Sequence, residues 1–568
     1  MSMFDCVIRG GTVIDGTGAP GFLADIGVTE GRIAAIGAGL AAGNEEIDAT
    51  GKLVTPGFVD VHTHYDGQVT WDSRLAPSSW HGVTTAVIGN CGVGFAPCRP
   101  SQRNLLIQLM EGVEDIPFPV LSEGLPWTWE TFPQYLDRLA ERHFDIDVVA
   151  YVPHAALRVY VMGERGANRE PATADDLATM ADLLGAAIDA GALGIATSRT
   201  LFHRSSDGRP IPTYEVHEEE FLVLARVLKR KGAGVFQVVE DLSLADGGLA
   251  FLRRLAEESG RPVTFSIGTG NEGPHAWPQL LEQLSEANAA GLTIKAQMLP
   301  RAIGMVLGVE LTLNPFYTTA TYAALAHLPL DERLAELRKP QVRAQIISEP
   351  VDPDPALVLG RMVRDFKHMF VLGDPPDYEQ PPERSIADLA KARGVTAEEL
   401  AYDILVSGDH GGKLYLAMAN YADGRLDAVG TILSHPDVVL GLGDGGAHVG
   451  TICDASYSTF ALMHWARDRA SGRFAIEDIA RRMSGATAAL AGLDDRGTLA
   501  PGLRADINVI DFAALALMAP EACYDMPAGG RRLLQRASGY SATLVAGEVT
   551  YRDGEATGAL PGRLVRAS

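Results

Sequence analysis

The chain has 568 residues, 46% hydrophobic and 21% charged, and 48 Lys and Arg against 72 Asp and Glu leave a net charge of −24. This composition excludes collagen, coiled coil and bulk disorder, and the length fits several structural units or one large barrel with additions. So acidic a chain, whose longest basic run is Lys229-Arg230-Lys231, is a poor partner for nucleic acid or an anionic membrane.

Five scattered cysteines make no disulfide framework, and the first residues carry no basic and apolar leader. No window of about 18 uncharged apolar residues offers a membrane span. The expectation is a cytoplasmic chain with reduced thiols.

In chain order, 5–9, 12–14, 24–28 and 32–36 read as short strands, with turns at Gly10-Gly11, Asp15-Gly16 and Glu30-Gly31. The far end repeats the style, with strand-like 505–510, 542–545 and 549–551 and turns at Ala546-Gly547 and Asp553-Gly554. Residues 1–55 and 497–568 are therefore expected to pair into one small β-sandwich.

Between them, 56–496 alternates apolar runs with amphipathic helices. The runs fall at 54–61, 84–88, 147–152, 194–197, 235–239, 263–267, 293–296 and 438–442, eight in all. After the third, Thr173 and Asp176 have capping-box spacing, and Leu177, Met180, Ala181, Leu184 and Ile188 recur at helical spacing. Phe221, Leu224, Ala225 and Leu228 form a similar face before the fifth. Eight such units predict an α/β chain built as a (β/α)8 TIM barrel. The connection between the seventh and eighth runs is too long for one βα loop. Residues 329–437 are expected to be a largely helical insertion covering the barrel mouth, with helices at 385–393 and 397–406.

Three places could carry chemistry. In Val59-Asp60-Val61-His62-Thr63-His64, strand alternation turns His62 and His64 the same way, and two imidazoles at a strand's C-terminal end can bind one metal ion. Two hydrogen-bonded polar residues ending a strand is the plainer alternative. Gly443-Asp444-Gly445-Gly446-Ala447-His448 puts a carboxylate at the same mouth, where Asp444 can ligate a metal, act as general base, or simply make an Asp-Gly turn. Gly89-Asn90-Cys91-Gly92 follows the second run. Its thiol is either a metal ligand or a small packed side chain, and Cys98 lies further from the strand end.

These motifs, in this order, resemble the amidohydrolase superfamily, and within it the D-aminoacylase (N-acyl-D-amino-acid deacylase) branch. Ile8-Arg9-Gly10-Gly11-Thr12-Val13-Ile14-Asp15-Gly16, Tyr151-Val152-Pro153-His154 and Pro501-Gly502-Leu503-Arg504-Ala505-Asp506 are similar to that group as well. The resemblance spans nearly the whole chain and implies a zinc hydrolase that cleaves a C–N amide bond of a small N-acyl amino acid or related amide. In that group the strand-two cysteine and histidines ending strands five and six hold the tight metal. This chain departs there: strand five ends at Gln237 and Glu240, and strand six at Ser266. What remains is His62, His64, Cys91 and Asp444, enough for one zinc ion of about four ligands, whereas two ions need roughly six. Asp444 is expected to be both ligand and catalytic acid/base, while Gln237 or Glu240 could replace a lost ligand. Arg158, Arg199, His203 and Arg301 are the substrate-facing candidates, since arginine can hold a carboxylate by two hydrogen bonds.

The expected partner is a small-molecule substrate, and association into a homo-oligomer is compatible with this fold. Other chemistries of a single-metal barrel stay open: cyclic-amide hydrolysis, deamination or a non-hydrolytic step. So does a catalytically silent barrel subunit.

Overall fold

The computed structural model describes residues 3–350 and 362–567. Part of the expected insertion, 351–361, lies outside them, as do the outermost residues of the two expected β ends.

Strands from both ends share one nine-stranded mixed sheet. Leu53–Pro56 is the seam: it runs parallel to Phe4–Val13 on one side and antiparallel to Ile507–Ile510 on the other. Ile8, Val13, Ile26, Val54, Ile507, Val509 and Leu544 form its buried face. Gly10-Gly11 is not the expected turn. Phe4–Val13 is one strand, and the register shift between Ile8 and Gly11 is a bulge in which Gly10 takes φ +64°.

The apolar run at 54–61 divides at Gly57. Leu53–Pro56 stays in the mixed sheet, and Phe58–Asp60 begins a second, eight-stranded parallel sheet. Its strands are β1 (Phe58–Asp60), β2 (Val83–Ile88), β3 (Asp147–Pro153), β4 (Gly194–Arg199), β5 (Val235–Glu240), β6 (Val263–Ser266), β7 (Ile294–Met298) and β8 (Val438–Leu440). They pair in sequence order, and a parallel bridge between Thr63 and Gly445 joins the first to the last. The fold is a TIM barrel with an added sheet domain.

Gly57 passes between the two sheets with no room to spare, since a Cβ there would lie 2.1 Å from Thr84 Oγ1. Gly57→Ala is expected to destabilise by about 1–3 kcal/mol through overpacking. A lower thermal midpoint by circular dichroism checks it.

Helices pack outside the barrel as their periodicity predicts. Ala174–Asp189 starts at a capping box, in which Asp176 N–H donates to Thr173 Oγ1 (3.2 Å) and Thr173 N–H donates to Asp176 Oδ2 (2.9 Å). Met180, Ala181, Leu184 and Ile188 are buried on its inner face. At the barrel floor, Arg496 pairs with Asp147 (2.6 Å), the first residue of β3, and reaches towards Asp506 of the sheet domain (3.8 Å).

The excursion after β7 is more than helical. Helices such as Leu330–Leu337, Pro340–Ser348, Ile386–Arg393 and Ala397–Leu405 pack on a three-stranded antiparallel sheet of Ile303–Leu307, Met369–Val371 and Leu414–Ala419. The unit has its own core around Leu307, Phe316, Leu334, Met369 and Leu400. Asp427–Ser434 instead returns the chain to β8 as a barrel helix. The excursion rests on the C-terminal face, where Val306 N–H donates to Thr451 O (2.7 Å) beyond β8 and Asn420 N–H to Thr269 O (2.7 Å) beyond β6. Among the described residues no helix is long and apolar enough to cross a membrane.

Candidate metal centre

Extended backbone continues past β1. Thr63 N–H donates to Val87 O (3.1 Å) on one side and His64 N–H to Gly445 O (2.7 Å) on the other, so His62 and His64 project together into the mouth. Cys91 sits in the tight turn Asn90–Gly92 after β2. A Cβ at Gly89 (φ +85°) would lie 2.4 Å from Tyr151 O, and one at Gly92 (φ +70°) 2.8 Å from Ala196 O, so only glycine lets this turn lie against β3 and β4. Asn90 Nδ2 donates to Val87 O (2.8 Å) and Thr63 O (3.2 Å), tying the turn to the histidine segment. Cys91 itself is held at φ 55° and Asp444 at φ 46°. Left-handed non-glycine residues of this kind cluster at functional sites because the surroundings must hold them there.

Four donor atoms converge. Cys91 Sγ is 3.3 Å from His62 Nε2 and 3.8 Å from His64 Nε2, and Asp444 Oδ1 is 3.4 Å and 3.5 Å from the same two nitrogens. Metal bonds of about 2.0–2.3 Å at tetrahedral angles place neighbouring donors roughly 3.3–3.8 Å apart. The spacing and the donor set of His62, His64 and Cys91 fit a shared metal ion, and Asp444 stands against both imidazoles beside them. Among the described residues, His62, His64 and Cys91 form the one group of three His, Cys, Asp or Glu side chains close enough to share a metal.

Each imidazole is braced from behind. His62 Nδ1 meets Gln297 Oε1 (2.8 Å), whose Nε2 donates to Thr264 Oγ1 (3.1 Å). His64 Nδ1 lies 3.2 Å from Glu114 Oε1, a charge contact with no hydrogen bond between the two atoms. With Nδ1 hydrogen-bonded, the His62 Nε2 lone pair faces the centre, and the Glu114 charge behind His64 favours a proton on its Nδ1 side.

Burial lowers His62 to about 4, so its imidazole is neutral. Burial also pushes His64 down, but Glu114, Cys91 and Asp444 outweigh it and hold His64 well above the ordinary range. Burial pushes the Cys91 thiol up to about 12. Asp444 is pushed up by burial, yet its hydrogen bond to His64 and the positive charge there prevail and keep it below the usual carboxylate range.

The strand-five and strand-six candidates do not enter this cluster. Gln237 Oε1 accepts from Cys91 N–H (3.3 Å), so it braces the ligand loop, and Glu240 pairs with Arg199 (3.0 Å). His203 does face the site: Ser198 Oγ holds its Nδ1 (2.8 Å), and burial together with His448 and His64 lowers it to about 3.

The three arginines expected to face substrate do not. Arg158 is wholly buried, ion-paired with Glu220 behind the barrel wall. Arg199 follows Ser198, so strand alternation turns it outwards, where it stacks 4.0 Å from the Phe251 ring centroid in the helix layer. Arg301 is buried against Asp454 (2.6 Å) and the Tyr378 ring (4.1 Å). Arg158→Ala is accordingly expected to cost about 1–3 kcal/mol of stability by removing one of the two partners of buried Glu220, whose other is His154 (3.0 Å), leaving KM unchanged. Thermal melts beside steady-state kinetics test this, and a raised KM with an unchanged melt would reverse it.

Sequence reading missed Gln297, Glu114 and His448, whose Nε2 lies 3.6 Å from Glu114 Oε2. A buried amide in the apolar run of β7 was the available signal for Gln297, because buried polar groups need a stated partner. Glu114 gave none.

The profile described as the amidohydrolase family matches residues 45–551. D-aminoacylase of Alcaligenes xylosoxydans xylosoxydans is 28% identical over 565 residues, 99% of this chain and 97% of its own. N-acyl-D-aspartate deacylase of the same organism is 38% identical over 196 residues, 34% of this chain and 36% of its own. A solved structure of D-aminoacylase, reported for its binuclear metal centre with one-metal activation and second-metal attenuation, is 26% identical, covers 99% of both chains and superposes with a TM-score of 0.66.

Proposed function

This chain belongs to the amidohydrolase family, and from that premise we propose that it is a metal-dependent hydrolase cleaving the C–N amide bond of N-acyl amino acids. The observation that carries the reading is the convergence of His62 Nε2, His64 Nε2, Cys91 Sγ and Asp444 Oδ1 at the C-terminal mouth of the barrel. The D-aminoacylase and N-acyl-D-aspartate deacylase relatives favour a D-configured substrate.

The proposal includes one zinc ion per chain, held by His62, His64, Cys91 and Asp444. Two imidazoles, a thiolate and a carboxylate form a zinc-type donor set, and the ends of β5 and β6 supply Gln237 and Ser266 instead of imidazoles. Such an ion supplies Lewis-acid polarisation of the scissile carbonyl and makes water a stronger acid.

The remaining steps belong to the chain. Asp444, held ionised, accepts the proton of the attacking water and returns it to the leaving nitrogen. Gln297 and Glu114 keep the two imidazoles oriented. His203, fixed by Ser198, faces the substrate from β4. The buried walls exclude bulk water, which strengthens each of these interactions. Four buried cysteines, all free, accord with the proposed cytoplasmic location.

The test is a panel of N-acetyl-D- and N-acetyl-L-amino acids, assayed for free amino acid with the metal-stripped and zinc-loaded chain. Release from D substrates in the loaded form is expected. Release from no member of the panel in either form would overturn the proposal.

A further inference from the structure

Glu114 takes no part in the proposed proton transfers, yet it is buried at the edge of the metal cluster. It is the last residue of the helix Arg103–Glu114, and Asp115 (φ 51°) ends the helix directly after it. Its side chain is 1% exposed. Oε1 lies 3.2 Å from His64 Nδ1 and Oε2 lies 3.6 Å from His448 Nε2, so one carboxylate faces two imidazoles from opposite ends of the barrel circuit. The backbone repeats the link, because Glu114 O accepts from His448 N–H. Asp115 adds to it, with Oδ2 accepting from Thr451 Oγ1 (3.2 Å).

The loop being fastened needs holding. Leu442, Asp444 and His448 all have positive φ, at 61°, 46° and 47°. Non-glycine residues persist there only when neighbours over-determine the backbone. The brace on His64 also differs from that on His62, which meets the neutral amide of Gln297. A carboxylate charge 3.2 Å behind an imidazole favours the Nδ1–H tautomer and makes Nε2 a stronger donor than a neutral amide does.

We propose that Glu114 is a positioning residue of the metal centre: it orients His64 for metal binding and, through His448, pins the loop that carries Asp444 onto the cluster. This rests on the reading of the cluster as a divalent metal site.

The experiment reads metal binding without substrate. Co2+ affinity of the full chain is measured by competition with a chromophoric chelator, and the visible Co2+ spectrum is recorded alongside. Glu114→Ala is expected to weaken affinity about 10–100-fold, the usual effect of removing such a partner, and to shift the ligand-field bands. Glu114→Gln, nearly isosteric and still able to accept from Nδ1–H, should fall between wild type and Ala. It decides the question if the alanine variant does not fold. His448→Asn, which loosens the loop carrying Asp444 but keeps the contact on His64, should weaken affinity less than Glu114→Ala while lowering kcat with metal saturating. Wild-type affinity and spectrum in folded Glu114→Ala, or in Glu114→Gln where that variant decides, would overturn the positioning role. Absence of Co2+ binding by the wild-type chain would instead overturn the metal-site reading beneath it.

Discussion

Asp444→Ala is expected to lower kcat/KM by about 10²–10⁴-fold, the usual contribution of a general acid/base. The loss should appear in kcat. The side chain touches both imidazoles at 3.4 Å and 3.5 Å and keeps 22% exposure, so it is placed to work at the interface between cluster and substrate. Its removal opens no buried cavity, and the melting temperature should change little. Asp444→Asn preserves size and one acceptor oxygen but cannot take up the proton, so it should be nearly as inactive. Kinetics and metal content measured on the same samples separate two roles. Inactivity with metal retained assigns the base. Inactivity that tracks metal loss assigns the ligand, and full activity in Asp444→Ala removes the residue from the mechanism.

The second large effect concerns metal retention and its pH dependence. Without an ion, burial keeps Cys91 protonated up to about 12. Burial pushes His64 down, but Glu114 outweighs it and keeps His64 protonated well above the ordinary histidine range. His62, lowered to about 4 by burial, carries no proton to lose near neutrality. An entering cation must displace the protons on Cys91 and His64, so uptake releases them and affinity rises with pH. Each proton released steepens log K by up to about one per pH unit. Chelator competition between about pH 6 and 8 should show that slope. Cys91→Ser substitutes a poorer ligand that need not lose its proton when the cation enters. It should weaken retention and flatten the slope. A pH-independent affinity, or two tightly held ions per chain, would contradict the single-ion site.

Much of the barrel was legible because eight buried parallel strands leave eight apolar runs, and their spacing alone sets the circuit. The same burial hid the facing of individual residues. A strand apolar on both sides shows no polar alternation, so nothing in 194–199 marked Ser198 as inward and Arg199 as outward. His62 and His64 escaped that limit, because two like residues two apart face the same way whatever the register. Glu114 was illegible for another reason. Its role exists only because the end of a helix after β2 folds back on a loop after β8, a contact between residues that no local pattern connects. The excursion was read as helical because 385–393 and 397–406 look helical, and the second does start at a capping box of Thr396 with Glu399. Its strands are short, and Met369–Val371 has only three residues.

The seam at Leu53–Pro56 has a consequence in time. Asn508 Nδ2 reaches Pro56 O across 452 residues of sequence. At synthesis rates of about 5–20 residues per second, that interval takes roughly 20–90 s. For that long the N-terminal half-sheet has emerged from the ribosome with one edge uncovered, and the barrel above it must be made before the edge can close. An open apolar edge is a template for pairing with another nascent copy. The vulnerable stage of this protein's life is therefore the waiting period before its last strands arrive, when chaperone protection of Val54 and its neighbours would matter most.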